Sequence, residues 1–194
     1  MKVKIALASG LVLASCATVP ELAPAGPFQA DSDFTVTLNE DWTVFAASIN
    51  PGMDSAFLTM DGPQLNAVYL ASIQDGEGLV TAEASTDVPQ FISGSSMLEI
   101  VEFLTASLTR LGYSAIETKD VRPHSLDGVS GTRLGLDATR ENGLSVVGEA
   151  AFAEDDRGLH IVIFLAPRGP YHTNLVDDVD ELISSIRLNS SGRT

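Results

Sequence analysis

The sequence predicts an α+β domain in which a single antiparallel sheet carries helices packed on it. Three apolar runs, at residues 130–139, 144–154 and 159–166, follow one another with only Arg140-Glu141-Asn142-Gly143 and Asp155-Asp156-Arg157-Gly158 between them. Asn-Gly between such runs is a strong short hairpin signal, so the three read as an antiparallel meander. Met97, Ile100, Val101, Leu104, Leu108 and Leu111 recur at spacings of three and four and specify one amphipathic helix. Val176, Val179, Leu182, Ile183 and Ile186 specify a second.

In chain order, residues 1–15 carry Lys2 and Lys4 and then an apolar run, the layout of a secretory signal. The run is too short to cross a hydrocarbon core roughly 30 Å thick. Leu13-Ala14-Ser15-Cys16 resembles the lipobox of bacterial lipoproteins, in which the cysteine becomes the first mature residue and carries acyl chains such as palmitate. Cys16 is the only cysteine, which leaves none for a disulfide or a thiolate catalyst. Ala17 stands where an aspartate would resemble the inner-membrane retention signal, so the resemblance implies the outer membrane, facing the periplasm. Residues 16–32, with Pro20, Pro24 and Pro27 and no periodicity, read as the lipidated cysteine and a flexible tether, residues 33–188 as one domain, and residues 189–194 as a frayed tail.

Within the domain, residues 34–38 alternate as a strand, Asn39-Glu40-Asp41 turns, and residues 42–45 form a second strand opened by the single tryptophan; together they predict a hairpin. Pro51-Gly52 breaks the pattern before a short strand at 56–60, and Asp61-Gly62-Pro63 turns into a longer one at 65–73. Residues 80–94 are polar and irregular, a loop long enough to be functional or mobile. Ser96 and Glu99 form a capping box for the first helix, which ends at Gly112. A strand at 115–122 runs into Pro123, and Leu126-Asp127-Gly128 turns into the meander, whose last run, nearly all apolar, is the most buried strand. Residues 167–172 are a loop, Thr173 or Asn174 caps the second helix, Asp177, Asp178, Asp180 and Glu181 suit its positive N-terminus, and Arg187-Leu188 add an edge pairing.

Charge limits the function. The formal charge is −15, and removing residues 1–15 takes two lysines and no acid, giving −17. Such a chain repels phosphate backbones and anionic lipid, so nucleic acid is excluded as a partner and the membrane is engaged through the acyl chains alone. His124, His160 and His172 have no partner at metal-ligand spacing, no Gly-x-Ser-x-Gly elbow or phosphate loop is present, and the acidic clusters at 154–156 and 177–181 lack EF-hand order. They read as a solvated turn and a helix N-terminus, and His160 as a satisfied core histidine. No metal and no organic cofactor is expected.

The order of elements resembles the PsbP-like fold, an α-β-α sandwich shared by the extrinsic photosystem II subunit, a Ran-binding nuclear-import factor and various bacterial lipoproteins. The residues that carry the resemblance are Phe34-Thr35-Val36-Thr37-Leu38 leading into Trp42, the helix at 97–111, the turn at 126–131 before a long strand, and the ending from Tyr171 to Leu188. One departure is that Asn39-Glu40-Asp41 stands where the family often has a proline and glycine. The resemblance implies a non-enzymatic envelope lipoprotein that binds a protein or supports an assembly. The competing reading is a small-ligand-binding lipoprotein or hydrolase with a pocket near Trp42, Asp61, Asn66, Tyr69, Arg133, Arg168 and Tyr171. Among these, Arg168 and Tyr171 are the preferred partner-binding residues, because arginine and the aromatics concentrate interface energy; the bland alternative pairs Arg168 with Asp177 or Asp178.

The lipobox yields a prediction of its own. Cys16→Ser should abolish incorporation of labelled fatty acid and leave precursor or a soluble periplasmic form; label retained by the variant would refute lipidation at this position.

Overall fold

The computed structural model of the chain describes residues 20–30, 34–45, 56–80 and 88–188. The expected signal and lipobox, the Pro51-Gly52 break, residues 81–87 of the long loop and the 189–194 tail lie outside the described residues. In order, the elements are β1 (Glu21–Ala23), β2 (Gly26–Gln29), β3 (Phe34–Leu38), β4 (Trp42–Phe45), β5 (Ala56–Thr59), β6 (Ala67–Ile73) and α1 (Met97–Arg110). Then follow β7 (Tyr113–Leu126), β8 (Val129–Arg140), β9 (Ser145–Asp155), β10 (Gly158–Pro167), α2 (Pro170–Thr173), α3 (Val176–Ser184) and β11 (Arg187–Leu188).

Among the described residues there are two sheets where the sequence predicted one. The larger has the order β1-β4-β5-β6-β10-β9-β8-β7 and the smaller β11-β3-β2. After β6 the chain crosses the large sheet as α1 to reach the far edge, and the meander β7 to β10 then walks back until β10 closes on β6. Every residue of β10 is buried. Its alternate side chains enter two cores: Leu159, Ile161, Ile163 and Leu165 pack with Ile100, Phe103, Leu104 and Leu108 of α1, while Val162, Phe164 and Ala166 pack with Val179, Leu182 and Ile183 of α3 and with Val36 and Leu38 of the small sheet. The result is the expected α-β-α sandwich with an extra β layer on the α3 side.

The N-terminal elements correct two expectations. The tether expected over residues 16–32 contains β1 and β2, and the hairpin expected between β3 and β4 does not form. Instead β2 pairs with β3 and β1 with β4, each antiparallel, so β1–β2 and β3–β4 run as two antiparallel arms that break at Ala25 and at 39–41 and send their two halves into different sheets. The break is tied: Ala25 N–H donates to Asp41 Oδ1 at 2.9 Å, and Asn39 Nδ2 donates to Asp178 Oδ1 of α3 at 2.5 Å. Prolines at 24 and 27 hid these strands, since each removes a ladder donor and reads as a breaker.

Both helices form, with one change at a cap. Ser96 N–H donates to Glu99 Oε2 at 2.7 Å and Glu99 N–H to Ser96 Oγ at 3.4 Å, closing the capping box of α1 and holding the Glu99 carboxyl below its ordinary range. The cap of α3 is Leu175 rather than Thr173 or Asn174, because the expected loop at 167–172 winds into the single turn α2, which takes Thr173 as its last residue and Asn174 as its C-cap.

The turns also differ from expectation. Between β8 and β9, Gly143 N–H donates to Arg140 O and Arg140 N–H to Leu144 O, so three residues rather than two span the hairpin, and only Gly143 takes positive φ, at 82°. This is the type I turn closed by a left-handed residue. The two-residue turn with both central residues at positive φ falls at Asp127 (48°) and Gly128 (85°), between β7 and β8. β7 is also longer than expected and runs through Pro123, which an outer-edge strand tolerates.

A Cβ added at Gly143 meets nothing within 4 Å, so the cost of a substitution there is conformational alone. Gly143→Val should lower stability by about 1–3 kcal/mol, read from the urea midpoint at unchanged slope; an unshifted midpoint would refute the left-handed turn.

Candidate functional site

The site residues named from the sequence do not form one pocket. Trp42 (1 % exposed) lies in the core on the α3 side of the large sheet, and Tyr69 in the core on the α1 side. Asp61 and Asn66 are consumed locally: the Asn66 amide oxygen accepts from Thr59 Oγ1 at 2.8 Å and Met60 N–H at 2.7 Å, and Asn66 Nδ2 donates to Asp61 Oδ2 at 2.8 Å, which builds the β5–β6 turn. Burial, followed by the neighbouring Tyr113, pushes the Tyr69 hydroxyl well above its ordinary value. The pocket reading built on Trp42, Asp61, Asn66 and Tyr69 is therefore corrected. Alternation along β6 cannot reveal that Trp42 comes to the opposite side of the sheet.

Arg168 lines a cleft of about 530 Å³ on the α3 side of the sheet, together with Lys119, Arg122, Glu149, His172 and Val176 among others, and Arg133 reaches that lining through its bond to Glu149. A β-bulge builds the cleft. Lys119 pairs with Gly135 and Arg122 with Arg133, so three steps along β7 match two along β8. In a regular strand Lys119 and Arg122 would point to opposite faces; the extra residue turns both to the same one. Asp120 takes up the distortion at φ 53°, a left-handed conformation that aspartate tolerates better than most residues.

Beneath these cations lies a network of acids. Asp137 accepts from Lys119 Nζ at 2.9 Å and from Arg168 Nη2 at 3.1 Å. Hydrogen bonding from Lys119 outweighs desolvation and holds the Asp137 carboxyl below its usual range. Glu149 receives Arg133 through both Nε, at 2.7 Å, and Nη2, with Arg122 Nη2 at 3.6 Å, and Arg133 reaches on to Asp180 of α3. Arg168 therefore pairs with Asp137 on β8 rather than with Asp177 or Asp178. The side chains of Lys119, Arg122 and Arg168 are 47 %, 48 % and 57 % exposed, whereas Asp137 and Glu149 are 23 % and 13 % exposed. The ammonium and guanidinium groups thus meet solvent while their counter-charges sit below. His172 stacks on Phe164 with ring centres 5.6 Å apart; burial, with Arg168 and Lys119 nearby, lowers its pKa and keeps the imidazole neutral at pH 7. Tyr171, 38 % exposed, stands beside it on α2.

His160 belongs to a different arrangement. Its Nδ1 lies 2.9 Å from Ser72 Oγ and its Nε2 lies 3.1 Å from Asp155 Oδ1, a hydroxyl, imidazole and carboxylate as in serine hydrolases but with the two ring nitrogens exchanged. The ring is only 1 % exposed, and Asp155 is also held by Arg157. Burial pushes the Asp155 carboxyl up, but hydrogen bonds from Arg157 and His160 prevail and hold it at about 2. The chain of bonds ties β6 to the β9–β10 turn, as a satisfied core histidine would.

No family model matches the chain, and no curated protein matches it. Among solved structures, the solution structure of cyanobacterial PsbP (CyanoP) from Synechocystis sp. PCC 6803 superposes with a TM-score of 0.51 at 10 % identity, covering 93 % of this chain and 98 % of that one. The fold is PsbP-like. The Saccharomyces cerevisiae Ran-binding protein Mog1p aligns at 0.41 with 11 % identity over 89 % and 96 % of the two chains, and Mycobacterium tuberculosis LpqN, involved in cell envelope biogenesis, at 0.38 with 11 % identity over 91 % and 88 %. The assignment rests on the first superposition. In this PsbP-like chain the cleft is made by β7, β8, β9 and the α2–α3 segment, so its geometry depends on the meander meeting the closing helix.

Arg133 is 8 % exposed and joins β8, β9 and α3. Arg133→Ala should cost about 3–5 kcal/mol, because it strips Glu149 of its bidentate partner and leaves it only the more distant, half-exposed Arg122, while Arg133→Met with Glu149→Leu should recover most of that. Denaturant midpoints check both, and a single-variant loss under about 1 kcal/mol would show that solvent screens the pair.

Proposed function

We propose that this chain is a non-enzymatic, lipid-anchored envelope protein, held at the outer membrane through Cys16, that docks a partner protein in the cleft above β8 and β9. The observation that carries the reading is the exposure of Lys119, Arg122 and Arg168 over less exposed acids. In a chain of formal charge −17 once residues 1–15 are removed, the cleft gathers scarce cations from β7 and from the segment after β10, with Val147 and Val176 as apolar lining and the His172 imidazole beside them. Such a surface suits an acidic, partly apolar protein segment, since carboxylates can share the cations with Asp137 and Glu149 without displacing them. The side chains are held before binding, which limits the ordering cost. Nothing in this role needs proton transfer or a nucleophile.

Arg168→Ala with Tyr171→Ala should weaken recovery of the partner captured from envelope extract by more than about 2 kcal/mol in affinity, with the melting temperature retained. Unchanged recovery from a variant that melts like the parent would exclude this cleft.

A further inference from the structure

The opposite face of the sheet holds a second surface with the reverse chemistry. Loop residues 89–95 and the first turns of α1 enclose a groove of about 520 Å³ lined by Phe91, Ile92, Ile100, Phe103 and Ala106, with Glu99 and Glu102 on its wall and no cationic side chain in the lining. Ile92, Met97 and Leu98 are 58 %, 47 % and 62 % exposed, and they lie within seven residues of one another in the chain. Ile92 lines the groove, and Met97 and Leu98 stand on the first turn of α1 beside its lining; large exposed aliphatic side chains beside a groove mark an interaction site more often than scattered ones do.

The groove is preformed. Phe91 is 1 % exposed and packs against Phe103 with ring centres 6.3 Å apart; its N–H donates to Glu77 O and its carbonyl accepts from Gly76 N–H, both at 2.8 Å. Ser93 N–H donates to Asp75 Oδ1 at 2.7 Å, Gly94 N–H to Glu154 Oε1 at 2.6 Å, and Ser95 Oγ to Ile92 O at 2.6 Å. The capping box fixes the helix start at the end of this loop. Ile92 is thus presented to solvent on backbone pinned on both sides, and cannot turn inward to bury itself.

We infer that this groove docks a protein segment carrying an apolar anchor flanked by lysine or arginine. Charge complementarity selects that occupant: Glu102 and Glu99 border the apolar patch, and cationic flanks answer them. A membrane surface fits poorly, because the same glutamates repel anionic head groups. A second copy of the chain would set the acidic walls against each other. The surface is independent of the cation-lined cleft, which lies across the large sheet, so the chain can hold two partners at once or two parts of one.

The probes are two synthetic amphipathic helical peptides of equal length, one of leucine and lysine and one of leucine and glutamate, titrated against the full mature chain. The lysine peptide should bind, more weakly as salt rises, and protect amides within 89–106 from hydrogen exchange; the glutamate peptide should not. Ile92→Ser with Leu98→Ser should weaken binding at least about tenfold. Both side chains are more than half exposed, so the variant keeps its fold. Glu102→Gln should flatten the salt dependence, while Arg168→Ala with Tyr171→Ala should leave binding unchanged and so separates this groove from the cleft. Protection elsewhere on the chain, equal binding of both peptides, or full affinity in the serine variant would overturn the inference. So would a concentration-dependent dimer, or binding to zwitterionic vesicles, that the serine variant abolishes.

Discussion

The complete burial of β10 is the constraint on which the rest of this structure depends. A strand with apolar side chains on both faces loses its driving force unless each face is covered, and each large aliphatic side chain it hides contributes about 1.5–3 kcal/mol. One layer of helix cannot serve both sides. α1 covers the face that receives Ile161 and Ile163, and α3 with the small sheet covers the face that receives Val162 and Phe164. The crossing of α1 from β6 to the far edge follows from the same demand, because β10 can sit at the centre only if the meander enters from outside.

The small sheet shows how the fold completes the second cover. α3 is only nine residues long, too short to shield the whole face. The kink in the paired arms β1–β2 and β3–β4 folds β2 and β3 over what remains, and Ser185 at the end of α3 locks to them, receiving Thr37 N–H at 2.8 Å through its Oγ. The other halves of the same arms stay in the large sheet and seal Trp42 into the core between them.

Electrostatics divide the two outer surfaces. The acidic character of the chain is general, so the cleft with Lys119, Arg122 and Arg168 stands out by concentration of cations rather than by net charge, and the groove beside α1 by having none in its lining. Both sit on backbone fixed before any partner arrives, through the bulge of β7 in one case and the pinned loop at 91–95 in the other.

Local periodicity made α1, α3, the meander and the burial of β10 legible, because a helix stripe or an alternating strand is set by residues within a few positions of each other. The expected signal and lipobox likewise rest on adjacent residues. The pairing of Arg133 with Glu149 was accessible in principle: the turn at 140–144 sets Gly135 opposite Glu149, and Arg133 lies two residues along the same face. What only the tertiary structure decided is everything fixed by a distant partner. β1 and β2 exist because β4 and β3 pair with them, Trp42 and Tyr69 part company because a sheet lies between their cores, and Arg168 finds Asp137 rather than the nearer Asp177. Most telling is Lys119 with Arg122, three residues apart on a strand whose sequence would set them on opposite faces. A single extra residue, absorbed by Asp120 against the register of β8, brings them together, and no period in the sequence of β7 records a bulge that its neighbour imposes.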